Sequence, residues 1–207
     1  MARLHSSESG DQAGGDGAEA LKRAAIRLFA ERGIAVVGLE PSCLLTLRDE
    51  LQSMGLGPDA RTIADHALLL EEFLAHQAQG GKLDALKARL KPLDQPILLH
   101  GHCHQKAFGA VSPILDVIKL IPGARPELID SSCCGMAGSF GYEAEHVDVS
   151  LQMAEMSLLP AVRAASPETV IVTDGTSCRH QIADGAGRER SESGDAQGEL
   201  AEASAQD

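Results

Sequence analysis

A chain of 207 residues with 43% apolar side chains has material for one ordinary domain and part of a second. Aromatic residues make up only 2% of it, so any core must be aliphatic. The net charge of −12 argues against a nucleic-acid or anionic-membrane surface, and no stretch approaches the roughly 20 apolar residues of a membrane span.

Residues 1–18 are mostly Ser, Gly, Asp and Ala and are expected to form a disordered tail. Leu21, Ala24, Ala25 and Leu28 then recur at helical spacing as far as Arg32, and Gly33 closes that helix. Ile34 to Leu39 reads as a short strand, with Glu40-Pro41-Ser42-Cys43 as its turn. Helical periodicity resumes from Leu44 to Met54 and stops at Gly55-Leu56-Gly57-Pro58. A second helical pattern covers 61–78 through Ile63, Ala67, Leu70, Phe73 and Leu74. A basic segment, Lys82 to Lys91, leads to a strand at Pro96–His100 and its turn Gly101-His102-Cys103-His104. An amphipathic helix carrying Phe108, Val111, Ile114, Val117 and Ile118 follows, up to Gly123. The next strand, Glu127 to Ile129, reaches the adjacent pair Cys133-Cys134 and a small-residue loop. Helix is expected over 143–165, with a kink at Pro160. The last strand, Thr169 to Thr173, ends in Asp174-Gly175-Thr176-Ser177-Cys178. From Gly185 onward the chain is again small and acidic.

Alternating strands and helices predict an α/β fold: a Rossmann-like parallel sheet with helices on both faces, plus part of a second similar unit. A weak internal repeat supports the second unit. Ile34-Ala35-Val36-Val37 with Glu40-Pro41-Ser42-Cys43 matches Thr169-Val170-Ile171-Val172 with Gly175-Thr176-Ser177-Cys178, and Asp49 and Asp184 follow at equal distance. The expected organisation is a tail at 1–18, the trailing part of a first unit at 19–54, a helical connection at 55–94, a complete cysteine-rich unit at 95–185 and an acidic tail at 186–207.

No apolar signal-peptide core follows Met1, so a cytoplasmic, reducing compartment is expected, with membrane attachment only peripheral and through a partner. Five cysteines in that setting read as metal ligands or redox thiols. Cys103, Cys133, Cys134 and Cys178 all sit in turns after expected strands, where the sites of open α/β sheets collect. Helix starts after Cys103 and Cys134 would favour thiolates there. Four soft thiolates match the ligand count of an iron–sulfur cluster, and there is no C-x-x-C knuckle of the zinc-finger kind. A zinc or mixed Cys/His site stays open as the alternative, and so does metal-free dithiol chemistry at Cys133-Cys134. Histidines 100, 102 and 104 alternate around Cys103. His102, His104 and His180 are the candidates for hydrogen bonds to the sulfurs, and Cys43 is an uncertain ligand without visible companions. Gly135, Gly138 and Gly141 have no dinucleotide-binding context and read as close backbone approach to the site.

Three segments carry a resemblance: His100 to Ala107 (HGHCHQKA), Ser132 to Glu143 (SCCGMAGSFGYE) and Gly175 to Ile182 (GTSCRHQI). They resemble the cysteine-rich "CCG" domain of iron–sulfur oxidoreductases. The likeness is strongest to the C-terminal part of FAD-linked D-2-hydroxyglutarate or D-lactate dehydrogenase-type oxidases with a fused iron–sulfur half. Gly38 to Glu50 resembles the end of that family's first cysteine-rich unit. The resemblance implies an electron-transfer component, not catalytic alone, with Cys103, Cys133, Cys134 and Cys178 at cluster-ligand positions and a [4Fe-4S] group as cofactor. Gly175 stands where some relatives carry a further cysteine. The implied partners are an FAD-binding oxidase domain or subunit and a ferredoxin-like iron–sulfur domain, FAD itself being held elsewhere, so the chain is expected to be a fragment or a shortened subunit.

Overall fold

The computed structural model describes residues 27–188, so the expected tail at 1–18, most of the acidic tail and the start of the first expected helix lie outside the described residues. The chain divides into two compact units. One joins the segment ending at Val37 to Leu45–Leu68, and the other joins Gly38–Leu44 to the segment starting at Leu69.

Residues 27–31 are helical. Then come β1 (Val36–Gly38), α1 (Pro41–Leu45), α2 (Glu50–Ser53), α3 (Pro58–His66) and β2 (Ala67–Leu69). In the first unit Leu51, Ala60 and Ile63 are buried together, with Leu47 and Leu56 packed against them. Pro58 opens α3, where its missing N–H removes no helical hydrogen bond. The helix expected over 61–78 is interrupted: α3 ends at His66, β2 pairs with β1, and α4 (Leu70–Gln79) starts afresh. Ala67 to Leu70 is continuously apolar and suits either period, and long-range strand pairing decides it against local helical spacing.

The second unit continues with α5 (Asp84–Lys87), β3 (Ile97–Leu99), α6 (Cys103–Ala107), α7 (Ser112–Ile118) and β4 (Pro126–Leu128). A 3-10 turn at Phe140–Tyr142 precedes α8 (Val147–Glu155), α9 (Leu158–Ala164), β5 (Val170–Val172) and α10 (Thr176–Ala186). The sheet has the order β4-β3-β5 and is parallel throughout. Ile97 lies opposite Pro126 and Val170, and Leu99 opposite Leu128 and Val172. This is the α/β architecture with a helix-flanked parallel sheet that the alternation predicts. Helix α4 packs on α7, and α9 on α10.

Two expected helices are broken into shorter pieces. Gly109, at φ +66°, separates α6 from α7, a backbone conformation that glycine adopts without a Cβ penalty. Ser157 leaves helical geometry and separates α8 from α9, so Pro160 falls in the first turn of a new helix, where it is tolerated and kinks nothing. Among the described residues no helix is long and apolar enough to cross a membrane.

Parallel register brings the carboxyl ends of β3, β4 and β5 to one rim. The ladder runs one step beyond the strands, through His100 N–H to Val172 O (2.9 Å) and Ile129 N–H to Leu99 O (2.8 Å). Beneath that rim Ile129, Cys134, Met136, Leu158, Val162, Cys178 and Ile182 form one buried cluster.

Candidate metal centre

Cys103 is the first residue of α6, and Cys178 lies in the first turn of α10. No helix follows Cys134 directly. The chain there is a loop that passes through Gly135 at φ +92° and Ala137 at φ +44° before the 3-10 turn, so the dipole expected at that point is absent. The loop is tight because Gly135 lies against the next helix: a Cβ on it would sit 2.1 Å from Ser150 O. Gln181 Nε2 also donates to Ser150 O (3.0 Å), which ties α10 to α8 behind the cysteine loop.

The four sulfurs come together. Cys178 Sγ lies 3.2 Å from Cys134 Sγ, Cys133 exchanges hydrogen bonds with both Cys103 and Cys134, and all four are free thiols. Cys134 and Cys178 are buried, whereas Cys103 and Cys133 are only partly covered. The proton distribution alternates along this row. The Cys103 and Cys134 thiols and the Gly135 N–H (3.3 Å) donate to Cys133 and hold it far below the usual thiol range. The hydrogen bond with Cys133 pushes Cys103 up, and those with Cys133 and Cys178 push Cys134 up. Cys178, hydrogen-bonded with Cys134 and faced by His100, falls to about 5 although burial opposes this. Hydrogen bonding within the row thus lowers Cys133 and Cys178 and raises Cys103 and Cys134. Lys106 supplies a nearby cation, its own pKa lowered by burial against the pull of the four sulfurs.

The three histidines singled out by sequence have different surroundings, and His102 lies against a sulfur. His102 caps α6: its Nδ1 accepts the His104 N–H (3.2 Å), and its own N–H donates to Gln105 Oε1 (3.0 Å). Its Nδ1 is 3.9 Å from Cys103 Sγ, and its ring lies against Gly175, where a Cβ would meet His102 Cδ2 at 2.4 Å. His104 stacks edge-on against His102 and has a buried, unpartnered Nδ1. His180 is engaged by Tyr142, whose hydroxyl is 2.5 Å from its Nδ1. Cys43 is exposed on α1. It is the third residue of its helix, as Cys178 is of α10, in keeping with the repeat.

Sequence reasoning counted His100 among three histidines of which one would donate to a sulfur, but left it out of the final candidates. It is fully buried, and one of its ring nitrogens lies within 4.8 Å of the Cys134 and Cys178 sulfurs. Glu40 was also missed. Its carboxylate accepts the Thr176 N–H (2.9 Å) and hydroxyl (2.8 Å) at the start of α10, and the Ser42 hydroxyl (2.8 Å) on its other oxygen. A third is Asp174, buried and held by Gln105 Nε2 at 2.6 Å.

A parallel α/β sheet whose rim gathers four free thiols defines a cysteine-rich α/β domain. The chain is a homologue of dehydrogenase components, consistent with the cysteine-rich domain of FAD-linked oxidoreductases. It is 30% identical over 151 residues to one of the component chains of the anaerobic glycerol-3-phosphate dehydrogenase of Escherichia coli K12, a match covering 73% of this chain and 36% of that protein. It is 28% identical over 156 residues to D-2-hydroxyglutarate dehydrogenase of the same strain, and 30% identical over 154 residues to that of Pantoea ananatis, each match covering 74% of this chain and 14% of the relative. The chain thus spans well under half the length of these relatives. No family model and no solved structure matches it.

Proposed function

We propose that the chain is an electron-carrying part of a flavin-linked dehydrogenase, with Cys103, Cys133, Cys134 and Cys178 holding an iron–sulfur group of the [4Fe-4S] type. The observation that carries this reading is the mutual contact of four sulfurs drawn from three separate loops of one sheet rim. Such a donor set fits the group: it is all sulfur, hydrogen bonding lowers two of its members below the ordinary thiol range, and a cation lies nearby. When bound, the group supplies one-electron chemistry. The protein's part is to keep water from the Cys134 and Cys178 side and to leave the half-covered Cys103 and Cys133 side open to a redox partner. His102 and His104, close to Cys103, and His180 on α10 would tune the site from a second layer, and Cys43 would stand outside it.

Relatives named as an anaerobic glycerol-3-phosphate dehydrogenase and as D-2-hydroxyglutarate dehydrogenases support a role for this chain beside a dehydrogenase of that kind. Its partners would then be an FAD-binding oxidase domain or subunit and a ferredoxin-like iron–sulfur domain, with 95–185 as the complete cysteine-rich unit and 19–54 as the trailing part of another. Zinc is the second reading, favoured by the mixed trio His100, Cys134 and Cys178 within 4.8 Å of one another. Anaerobic purification with iron and acid-labile sulfide quantification separates the readings. Iron and sulfide in equal amounts, with a broad visible absorption that dithionite bleaches, support the electron carrier. A colourless zinc adduct supports the second reading and overturns the first. Active metal-free protein that reversibly forms a Cys133–Cys134 disulfide overturns both.

A further inference from the structure

We propose that His100 is a fixed hydrogen-bond donor to the sulfur cluster, locked in its Nε2–H tautomer by a relay that runs from Lys106 through Ser131. The consequence for redox potential rests on the electron-carrier reading; the tautomer does not. His100 directly follows β3 and is anchored by its backbone N–H on Val172 O at 2.9 Å, so the sheet fixes where its buried ring stands. Its Nδ1 lies 2.8 Å from Ser131 Oγ. Lys106 Nζ approaches the same hydroxyl at 3.3 Å and also donates to the carbonyls of Ser131 and Ser132.

An ammonium group can only donate, so the Ser131 hydroxyl accepts from Lys106 and must place its own proton elsewhere. Two acceptors are in reach: His100 Nδ1 at 2.8 Å and Ile129 O at 3.5 Å. The first is an ordinary hydrogen-bond length and the second is at the outer limit, so the proton goes to His100. A neutral imidazole whose Nδ1 accepts carries its proton on Nε2. Nε2 is buried without a hydrogen-bond partner among the described residues, while the ring faces the sulfurs of Cys134 and Cys178. A buried N–H left without an acceptor destabilises the fold, so the neighbouring Cys134 and Cys178 sulfurs are the acceptor it requires. His102 lies outside this relay, because its Nδ1 already accepts the His104 N–H. Hydrogen bonds to ligand sulfurs favour the more negative, reduced state, so this donor raises the reduction potential of a bound group.

The test has two arms. Imidazole nitrogen NMR of the reduced, metal-free full chain reads the tautomer directly, with His100 assigned by the signal lost in His100→Gln. Nε2 protonated and Nδ1 bare supports the relay, and so does a mixture of tautomers in Ser131→Ala. A proton on Nδ1 of the parent overturns it. In the second arm, potentials are compared on chains carrying equal iron and sulfide. His100→Leu should shift to lower potential, while His100→Gln, which keeps a terminal N–H, should stay near the parent. An unchanged potential in His100→Leu overturns the donor role. If the parent retains no iron and sulfide, the electron-carrier reading fails, and the tautomer measurement by itself still supports or overturns the relay.

Discussion

Cys178 and Cys134 are 44 positions apart in sequence, yet their sulfurs meet at 3.2 Å in the buried half of the site. The contact depends on the parallel register of β3 with β4 and β5, which sends the turns after β4 and β5 out of the same rim. Cys134 also belongs to the apolar cluster under the sheet, so one side chain serves both core and site. Its oxygen analogue tests the two roles together. Cys134→Ser should lose most of the bound metal, since a serine hydroxyl is a hard, weakly acidic donor where soft thiolates are needed. Cys43→Ser, on an exposed helix, should keep metal at the parent level. Metal content per chain after anaerobic reconstitution is the measurement, and equal loss in both variants would make Cys43 a ligand.

The α10 helix, which presents Cys178, is tied at its first residue by a carboxylate 136 positions away. Burial would raise the Glu40 pKa, but hydrogen bonds from Thr176 and Ser42 outweigh it and hold the carboxyl below its ordinary value. A depressed folded-state pKa gives stability that is present above the unfolded value and lost as pH falls through the folded one. Glu40→Gln should therefore cost about 1 kcal/mol at neutral pH, the scale of a lost helix cap. The gap from the parent should close as pH drops below 4.5, the ordinary value for the group. Urea unfolding of both chains across that range is the check, and a gap that persists in acid would mean the carboxylate charge is not what holds the helix start.

How much of this was readable in the sequence depends on the range of the interactions. The four cysteines could be placed at strand ends because aliphatic runs such as Ile97-Leu98-Leu99 and Val170-Ile171-Val172 are short and lead within a few residues to a glycine-containing turn. The histidines could not be sorted the same way. Period-two alternation puts residues 100, 102 and 104 on one strand face, but β3 ends at Leu99 and α6 begins at Cys103, so their side chains diverge. His100, still on the ladder, lies by the Cys134 and Cys178 sulfurs, while His102 reaches only the Cys103 sulfur. Glu40 was invisible for a different reason: its partner Thr176 is brought near by tertiary folding alone. The break at β2 was invisible because the apolar run from Ala67 to Leu70 satisfies both periods until β1 is there to pair with.

Two glycines of the cysteine loop separate backbone strain from close packing. Gly135 and Gly138 both have positive φ, at +92° and +68°, so alanine is strained at either. At Gly138 an added Cβ meets open space, whereas at Gly135 it would overlap Ser150 O, a backbone atom of α8. Gly135→Ala should thus be less stable than Gly138→Ala by a further ~1–3 kcal/mol, the usual scale for overpacking. It should also disturb Cys133, whose sulfur accepts the Gly135 N–H. Thermal unfolding of the two variants decides this, and equal losses would show that φ strain alone governs the loop.

Behind the site lies a pair of buried acids, Glu71 on α4 and Asp174 after β5. Burial first, and then the neighbouring charges of Asp174 and Glu72, raise the Glu71 pKa to about 8. Burial raises Asp174 as well, against the hydrogen bond from Gln105 and the charge of Arg179. A carboxyl whose folded pKa lies above its unfolded value favours the fold in its protonated form. Its contribution is complete below the unfolded value of 4.5 and is lost as pH rises toward 8. The parent should therefore lose stability steadily across that window, the opposite of the slope set by Glu40 in acid. Glu71→Gln keeps the shape without the titration, so it should flatten the decline and melt higher than the parent above pH 8. It should also ease ionisation of Asp174, by removing the like charge beside it. Melting temperatures of the two chains, measured at several pH values between 4.5 and 8, give the slopes directly. Parallel curves would place the proton on some other group and leave Glu71 ionised within the fold.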